Sequence, residues 1–257
     1  GTAIASKVVT TDANIDTTGQ RNLTITGELD AATLDISGNA DIDGTLNVDG
    51  LTNAGNFSTD GGSIKLDGSF PTGSQNTALG SDALASGSLS GGFNVAVGYK
   101  ALKTNTSGDK NTAIGRTALE LNTTGSENTA VGQNVMYTNV SGDFNTAVGR
   151  EALYSNTTAD NNTALGYCAL KANTTGAANT AVGSNALDSN TTGYANVAIG
   201  CDAMQTNTVG FYNVAVGENS LELNDAGDCN TAIGVGALRA NTTNGNVAVG
   251  FNAAKCN

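Results

Sequence analysis

From Asn76 onward, short apolar triplets alternate with polar turns on a fixed beat. The pattern N-[TV]-A-[VIL]-G returns eleven times, at Asn76, Asn94, Asn111, Asn128, Asn145, Asn162, Asn179, Asn196, Asn213, Asn230 and Asn246. The step is 17 residues throughout the interior, 18 at the first repeat and 16 at the last. One unit reads N-T-A-V-G-x-x-A-L-x-x-N-T-T-G-x-x, numbered here as positions 1 to 17. Such a unit is too short, and too rich in Gly and Asn, for a pair of helices. The T-A-V triplet between Asn and Gly suits a short strand bounded by turn residues. A second apolar pair follows half a unit later (Ala101-Leu102, Ala118-Leu119, Ala152-Leu153), and N-T-T-G supplies a turn. The repeat therefore predicts one coil of a parallel β-solenoid per unit.

Stacked coils put residues 17 apart on top of one another, about 4.8 Å apart. The tenth position then forms the column Lys103, Glu120, Tyr137, Tyr154, Lys171, Asp188, Gln205, Glu222, Arg239. Opposite charges are neighbours three times in it, aromatics once and like charges never, as stacked strands favour. Lys110 falls beneath Glu127 at position 17, while Asp143 and Asp160 meet in a loop column. Position 3 is Ala in all eleven units and position 4 is Val, Ile or Leu. Alternation along a strand sends the two to opposite sides. Both sides then look dry, and the expectation is that further copies of the chain cover the Ala face, as in a cyclic homotrimer.

Residues 1–70 follow a looser rhythm. Leu23-Thr-Ile25, Leu34-Asp-Ile36, Ala40-Asp-Ile42, Leu46-Asn-Val48 and Ile64-Lys-Leu66 alternate between glycines. This reads as a β-rich stalk, with 71–75, including the single proline Pro71, as the linker to a solenoid over 76–257. Gly1 is not an initiator Met and Asn257 falls at position 12 of an incomplete unit, so a piece of a longer polypeptide is expected.

Composition narrows the function classes. Eleven Lys and Arg against 23 Asp and Glu give a formal charge of −12, the wrong sign for gripping phosphate backbones, so no nucleic-acid partner is expected. Zero His removes the usual general base and the commonest metal ligand. No apolar run approaches the roughly 18 residues of a membrane helix. Asp41, Asp43 and Asp49 sit in D-G turns without the ligand spacing of a calcium loop. No acidic pair recurs at aligned positions, as glycan cleavage would want. The expectation is a non-enzymatic chain with no catalytic residues, no cofactor and no metal.

Three further features bear on binding. Asn105, Asn122, Asn139, Asn156, Asn173, Asn190 and Asn241 head N-x-[ST] sequons, yet a turn column of stacked, hydrogen-bonded amides explains them better than glycosylation. Cys168, Cys201, Cys229 and Cys256 occupy different positions of the unit, so none stacks on another; they are free thiols or pair between chains. Ten of the twelve aromatics lie at variable positions of the repeats. Of these, Tyr137, Tyr154, Tyr194, Phe211 and Tyr212 are candidate glycan contacts, the alternative being ladders that only tie neighbouring coils together.

The run N-T-A-V-G-x-x-A-L-x-x-N-T-T-G resembles the head repeats of YadA-like trimeric autotransporter adhesins, whose signature is N-S-V-A-I-G. It is more similar to the longer-coiled variant of phage tail fibres and related virion appendages. The segment S-G-N-A-D-I-D-G-T-L-N-V-D-G at 37–50 is similar to repeats of phage fibre shafts. The resemblance implies a left-handed, trimeric β-roll used for attachment. On that reading the chain is a structural fibre at the virion surface, outside the cell. Its partners are two further copies of itself, other virion proteins, and a host surface glycan or receptor. A bacterial adhesin head, an ice-binding solenoid using the threonine column Thr106, Thr123, Thr157, Thr174 and Thr191, and a glycan-degrading fibre are the rival expectations.

Overall fold

The computed structural model describes residues 75–86 and 88–256. The expected stalk over 1–70, with its aspartates, and residues 71–74 of the linker lie outside the described residues. Eleven three-residue strands run from β1 (Thr77–Leu79) to β11 (Val247–Val249) and form one sheet in sequence order. Every pairing is parallel and joins equivalent positions: Thr112 lies beside Thr129, Ala113 beside Ala130 and Ile114 beside Val131. The described residues contain no helix. Thus the described residues form an all-β parallel solenoid, one coil per repeat.

Coil-to-coil pairing continues well beyond the strands. The amide of Leu102 donates to the carbonyl of Ala118 at 3.0 Å, that of Thr104 to Glu120 at 3.1 Å and that of Thr106 to Thr123 at 2.9 Å. Others donate toward the preceding coil, as Gly98 does to Leu79 at 2.7 Å and Lys110 to Gly92 at 2.9 Å. Short strands suffice because the turns are hydrogen-bonded in the same axial sense, which leaves few backbone groups to solvate.

The position-3 alanines are not the outer face. Ala96, Ala113, Ala130 and their equivalents through Ala232 are fully buried inside their own coil, packed with Ala at position 8 and Leu or Met at position 9. The outward side chains are those of positions 2 and 4, and Ile114, Leu165 and Ile199 remain 37–40% exposed. A 17-residue coil is so narrow that only a methyl group fits beneath the sheet once the position-9 leucine fills the opposite wall. The bulkier β-branched residue must therefore point away.

The other half of the interior is polar. Asn122 Nδ2 donates to Asn105 Oδ1 at 2.8 Å and to the Gly125 carbonyl at 2.9 Å, and Asn139 repeats this on Asn122 and Gly142. A second column uses position 1: Asn111 Oδ1 accepts the amide of Asn128 at 3.0 Å, while Asn111 Nδ2 donates to the Gly125 carbonyl at 2.8 Å. Both columns are buried. The sequon asparagines are thus interior groups whose amides are already committed, and folded coils offer them to no glycosyl donor. Coil 1 lacks a position-12 Asn, and Leu89 is fully buried there.

Closing so tight a loop needs left-handed backbone at position 9, where Leu102, Leu119, Leu153 and Leu170 have φ of 50 to 53°. That conformation costs an ordinary residue about 1–2 kcal/mol. Full burial of a leucine returns about 1.5–3 kcal/mol, so the column tolerates the strain. At position 5 no side chain is tolerable. Gly200 has φ +136°, and a Cβ there would lie 2.6 Å from the carbonyl carbon of Gly217. Gly245, at φ +73°, has nothing within 4 Å of the same atom. Gly200→Ala is expected to cost more than about 2 kcal/mol, whereas Gly245→Ala costs about 1 kcal/mol, the left-handed penalty alone. Denaturant unfolding of the two variants beside wild type checks this; equal losses would contradict the close approach.

Candidate functional site

Variable side chains stand outside this invariant frame, and two aromatic groups form among them. Tyr137 and Tyr154 stack with centroids 5.3 Å apart and planes 9° from parallel, as position-10 neighbours should. Tyr194 stacks on Phe211 at 4.9 Å and 8°, and Tyr212 meets both rings edge-on at 5.4 and 5.6 Å. The five aromatics therefore make two clusters on different columns: position 10 for the first, positions 16 and 17 for the second. Tyr194 and Tyr212 are exposed, Phe211 half-buried.

Column charges pair differently from the simple vertical expectation. Glu222 and Arg239 do join vertically, as do Lys110 and Glu127 at 3.0 Å. Lys103, however, reaches Asp82 at 3.8 Å rather than Glu120, and Glu120 pairs with Lys100 at 3.6 Å. Lys171 turns from Asp188 to Glu151 at 2.9 Å. All three departures join position 7 of one coil to position 10 of the next. Position 7 is left-handed (Lys100 at φ 57°, Glu151 at 61°), and a residue so turned meets its diagonal neighbour. Asp143 and Asp160 do not confront each other as bare charges. Asp160 Oδ1 accepts the amide of Asp143 at 2.7 Å, and Asp143 Oδ1 that of Ser126 at 2.6 Å.

The diagonal relation builds a groove of about 340 Å³ over coils 2 to 5. Tyr99, Lys100, Arg116, Glu120, Tyr137 and Tyr154 line it together with Thr117 and Asn134. The Thr117 hydroxyl lies 2.6 Å from Asn134 Oδ1 and 2.7 Å from the Arg116 carbonyl, and Asn134 Nδ2 has no hydrogen-bonding partner among the described residues. The Arg116 guanidinium is exposed and has no ion pair or side-chain hydrogen bond among the described residues. The groove holds a single carboxylate, Glu120, tied to Lys100; two carboxylates flanking a bond, as glycoside hydrolysis needs, are not assembled in it. What the arrangement offers is aromatic ring surface, hydrogen-bonding groups and one cation without an ion pair. Sequence reading found the two tyrosines but missed Lys100, Arg116 and Asn134; the offset of 20 residues between Lys100 and Glu120, and between Glu151 and Lys171, was the available signal.

Cys168 is buried, with Sγ 3.8 Å from Glu151, and burial pushes its thiol above the ordinary range; Cys201, Cys229 and Cys256 are exposed, and all four are free. Among the described residues, no three acidic or cysteine side chains gather in a way that holds a metal ion, and no helix is long and apolar enough to cross a membrane. Compared with known proteins, the chain matches no family model, no curated protein and no solved structure.

Two carboxyls titrate in opposite senses. The Lys171 hydrogen bond, aided by Arg150, holds Glu151 below the usual glutamate range against the opposing effect of burial. Burial raises Asp188, whose Oδ1 is the one buried side-chain polar atom without a partner among the described residues. Stabilisation by Glu151 is present above the ordinary glutamate value and is lost as pH falls through the lowered one. The cost of Asp188 is absent below the ordinary aspartate value, grows as pH rises from there and is complete above its raised value. At pH 7, Glu151→Gln should lower the melting midpoint and Asp188→Asn should raise it, each by about 2–4 °C. Both differences should shrink at pH 3, which thermal scans at the two pH values test.

Proposed function

We propose that the chain is a non-enzymatic structural fibre of a virion, a tail fibre or similar appendage, that self-associates as a homotrimer and attaches to a host surface. The observation that carries this reading is the outer sheet face. Position 4 presents Val, Ile or Leu on every one of eleven stacked strands, an unbroken apolar ridge from Leu79 to Val249. Phe93 flanks it at the end of coil 1, Tyr99 on coil 2, Phe144 at the end of coil 4 and Tyr212 at the end of coil 8, each 44–57% exposed. A monomer rarely leaves so long a contiguous apolar strip to water. Identical ridges related by a rotation axis would bury one another, with each coil repeating the contact. The repeat's similarity to fibre and adhesin heads agrees with this use. Three identical rods would then present many weak contacts, and avidity would exceed the affinity of any one. The acidic surface suits a fibre that must not adhere indiscriminately to other acidic surfaces.

The bacterial adhesin head shares this assembly and differs in what carries it. For the ice-binding alternative, the threonine column is already engaged: Thr106 Oγ donates to the Thr123 carbonyl at 2.9 Å, Thr157 to Thr174 and Thr174 to Thr191 at 3.0 Å. Sedimentation equilibrium at micromolar concentration is expected to give three times the chain mass. Ile199→Glu, at the middle of the ridge, is expected to give a folded monomer. A monomeric wild type removes the homotrimer. Labelled trimer is further expected to bind a subset of bacterial cell surfaces saturably and without releasing reducing sugar ends. Absence of binding across a broad panel, or thermal hysteresis in its place, removes the attachment reading.

A further inference from the structure

The groove over coils 2 to 5 combines features that no structural role accounts for. Of the described cations, Lys100, Lys103, Lys110, Arg150, Lys171 and Arg239 are each held in an ion pair; Lys255, in the last coil, is not, and neither is Arg116. It is an arginine on a chain with an excess of 12 negative charges, where acidic partners are easily supplied. Around it stand polar groups with no hydrogen-bonding partner among the described residues: the Asn134 amide group and the hydroxyls of Tyr137 and Tyr154. The tyrosine pair supplies flat, amphipathic ring surface at the same place. An array used only to fasten coil to coil would satisfy these donors internally, as the asparagine columns do.

Charge arithmetic within the groove selects the ligand. Lys100 and Glu120 neutralise each other at 3.6 Å, which leaves one net positive charge, on Arg116. A guanidinium presents a planar fork that matches a carboxylate in two parallel hydrogen bonds. One uncompensated fork suits a monoanion and undersupplies a phosphate dianion or a run of sulfates. Ring surface beside it suits the apolar face of a pyranose, and amide and phenol groups suit its hydroxyls. The volume lies within the range of small-molecule sites.

We infer that this groove binds a carboxylate-bearing sugar, a uronic or sialic acid residue, with Arg116 on the carboxylate and Tyr137 and Tyr154 against the ring. The inference rests on the attachment reading only in that it names the class of surface glycan engaged; the groove belongs to the single solenoid and does not need the trimer. The Tyr194–Phe211–Tyr212 cluster has no cation beside it and is not part of the site.

The test is fluorescence anisotropy with labelled trigalacturonate, labelled sialyllactose, and the same two sugars with each carboxylate reduced to an alcohol. Wild type is expected to bind at least one acidic sugar about tenfold or more tightly than its reduced form. Arg116→Gln, which disturbs no ion pair, is expected to abolish that preference and to leave the melting midpoint in place. Tyr137→Ala is expected to weaken both forms, and Tyr194→Ala neither. The inference is overturned if wild type binds neither acidic sugar, if acidic and reduced forms bind equally, or if Arg116→Gln keeps the preference. It is overturned as well if labelled polyglutamate binds as tightly as the sugars, since charge alone would then suffice. Cell binding separates the two levels. Equal attachment by wild type and Arg116→Gln removes the groove and spares the attachment reading, whereas absence of attachment by wild type removes the latter and leaves the sugar titrations to decide the groove.

Discussion

A residue that lies directly over its counterpart in the preceding repeat must be compatible with itself, and that constraint governs the whole solenoid. Axial hydrogen bonds leave room for one backbone layer per step of about 4.8 Å. Inside, each column has to be a side chain that both gives and receives along the axis, or one that needs nothing. Asparagine meets the first condition, since its amide donates to the coil on one side while its carbonyl accepts from the other. Alanine and leucine meet the second. The interior is therefore divided lengthwise into a polar seam and an apolar seam, and the recurrent Asn, Ala and Leu of the repeat are the members of those seams.

The same constraint relaxes at the surface and so makes the surface the place for individuality. Position 10 runs through Lys, Glu, Tyr, Asp, Gln and Arg because solvent and diagonal neighbours can satisfy most of them, Asp188 with its unpartnered Oδ1 being the exception. A left-handed turn at position 7 tilts its side chain toward position 10 of the following coil, so pairs form at an offset of 20 as well as 17. Short-range chemistry on the rod is consequently composed from two columns and two coils at a time. The groove beside Arg116 is a product of that geometry, assembled from residues that stand up to 55 positions apart, from Tyr99 to Tyr154. The outer sheet face obeys a different rule: position 4 stays Val, Ile or Leu even though water reaches it, which an isolated rod would not require.

Much of this was legible in the chain. The 17-residue beat, the glycine after each triplet and a unit too short and too rich in Gly and Asn for paired helices sufficed for a parallel solenoid. Vertical stacking predicted the contact of Tyr137 with Tyr154, of Tyr194 with Phe211 and of Glu222 with Arg239. Axial hydrogen bonding of the N-x-[ST] asparagines followed from their recurrence at a turn, though their burial did not. Strand alternation also said that positions 3 and 4 point apart. It did not say which of them points inward, because both are apolar and hydropathy alone gives them no order.

That order came from the closure of the coil. Only when the backbone wraps round, with Leu at position 9 occupying the far wall, does the space beneath the sheet shrink to the size of a methyl group and turn the larger side chain outward. Partner choice among the charged residues was decided in the same way, by a left-handed backbone at position 7 that a one-dimensional column cannot express. Sequence by itself determined the period, the architecture and the vertical neighbours, since these depend on spacing along the chain. Tertiary structure decided inside from outside and the diagonal contacts, since these depend on how far the chain turns between one position and the next.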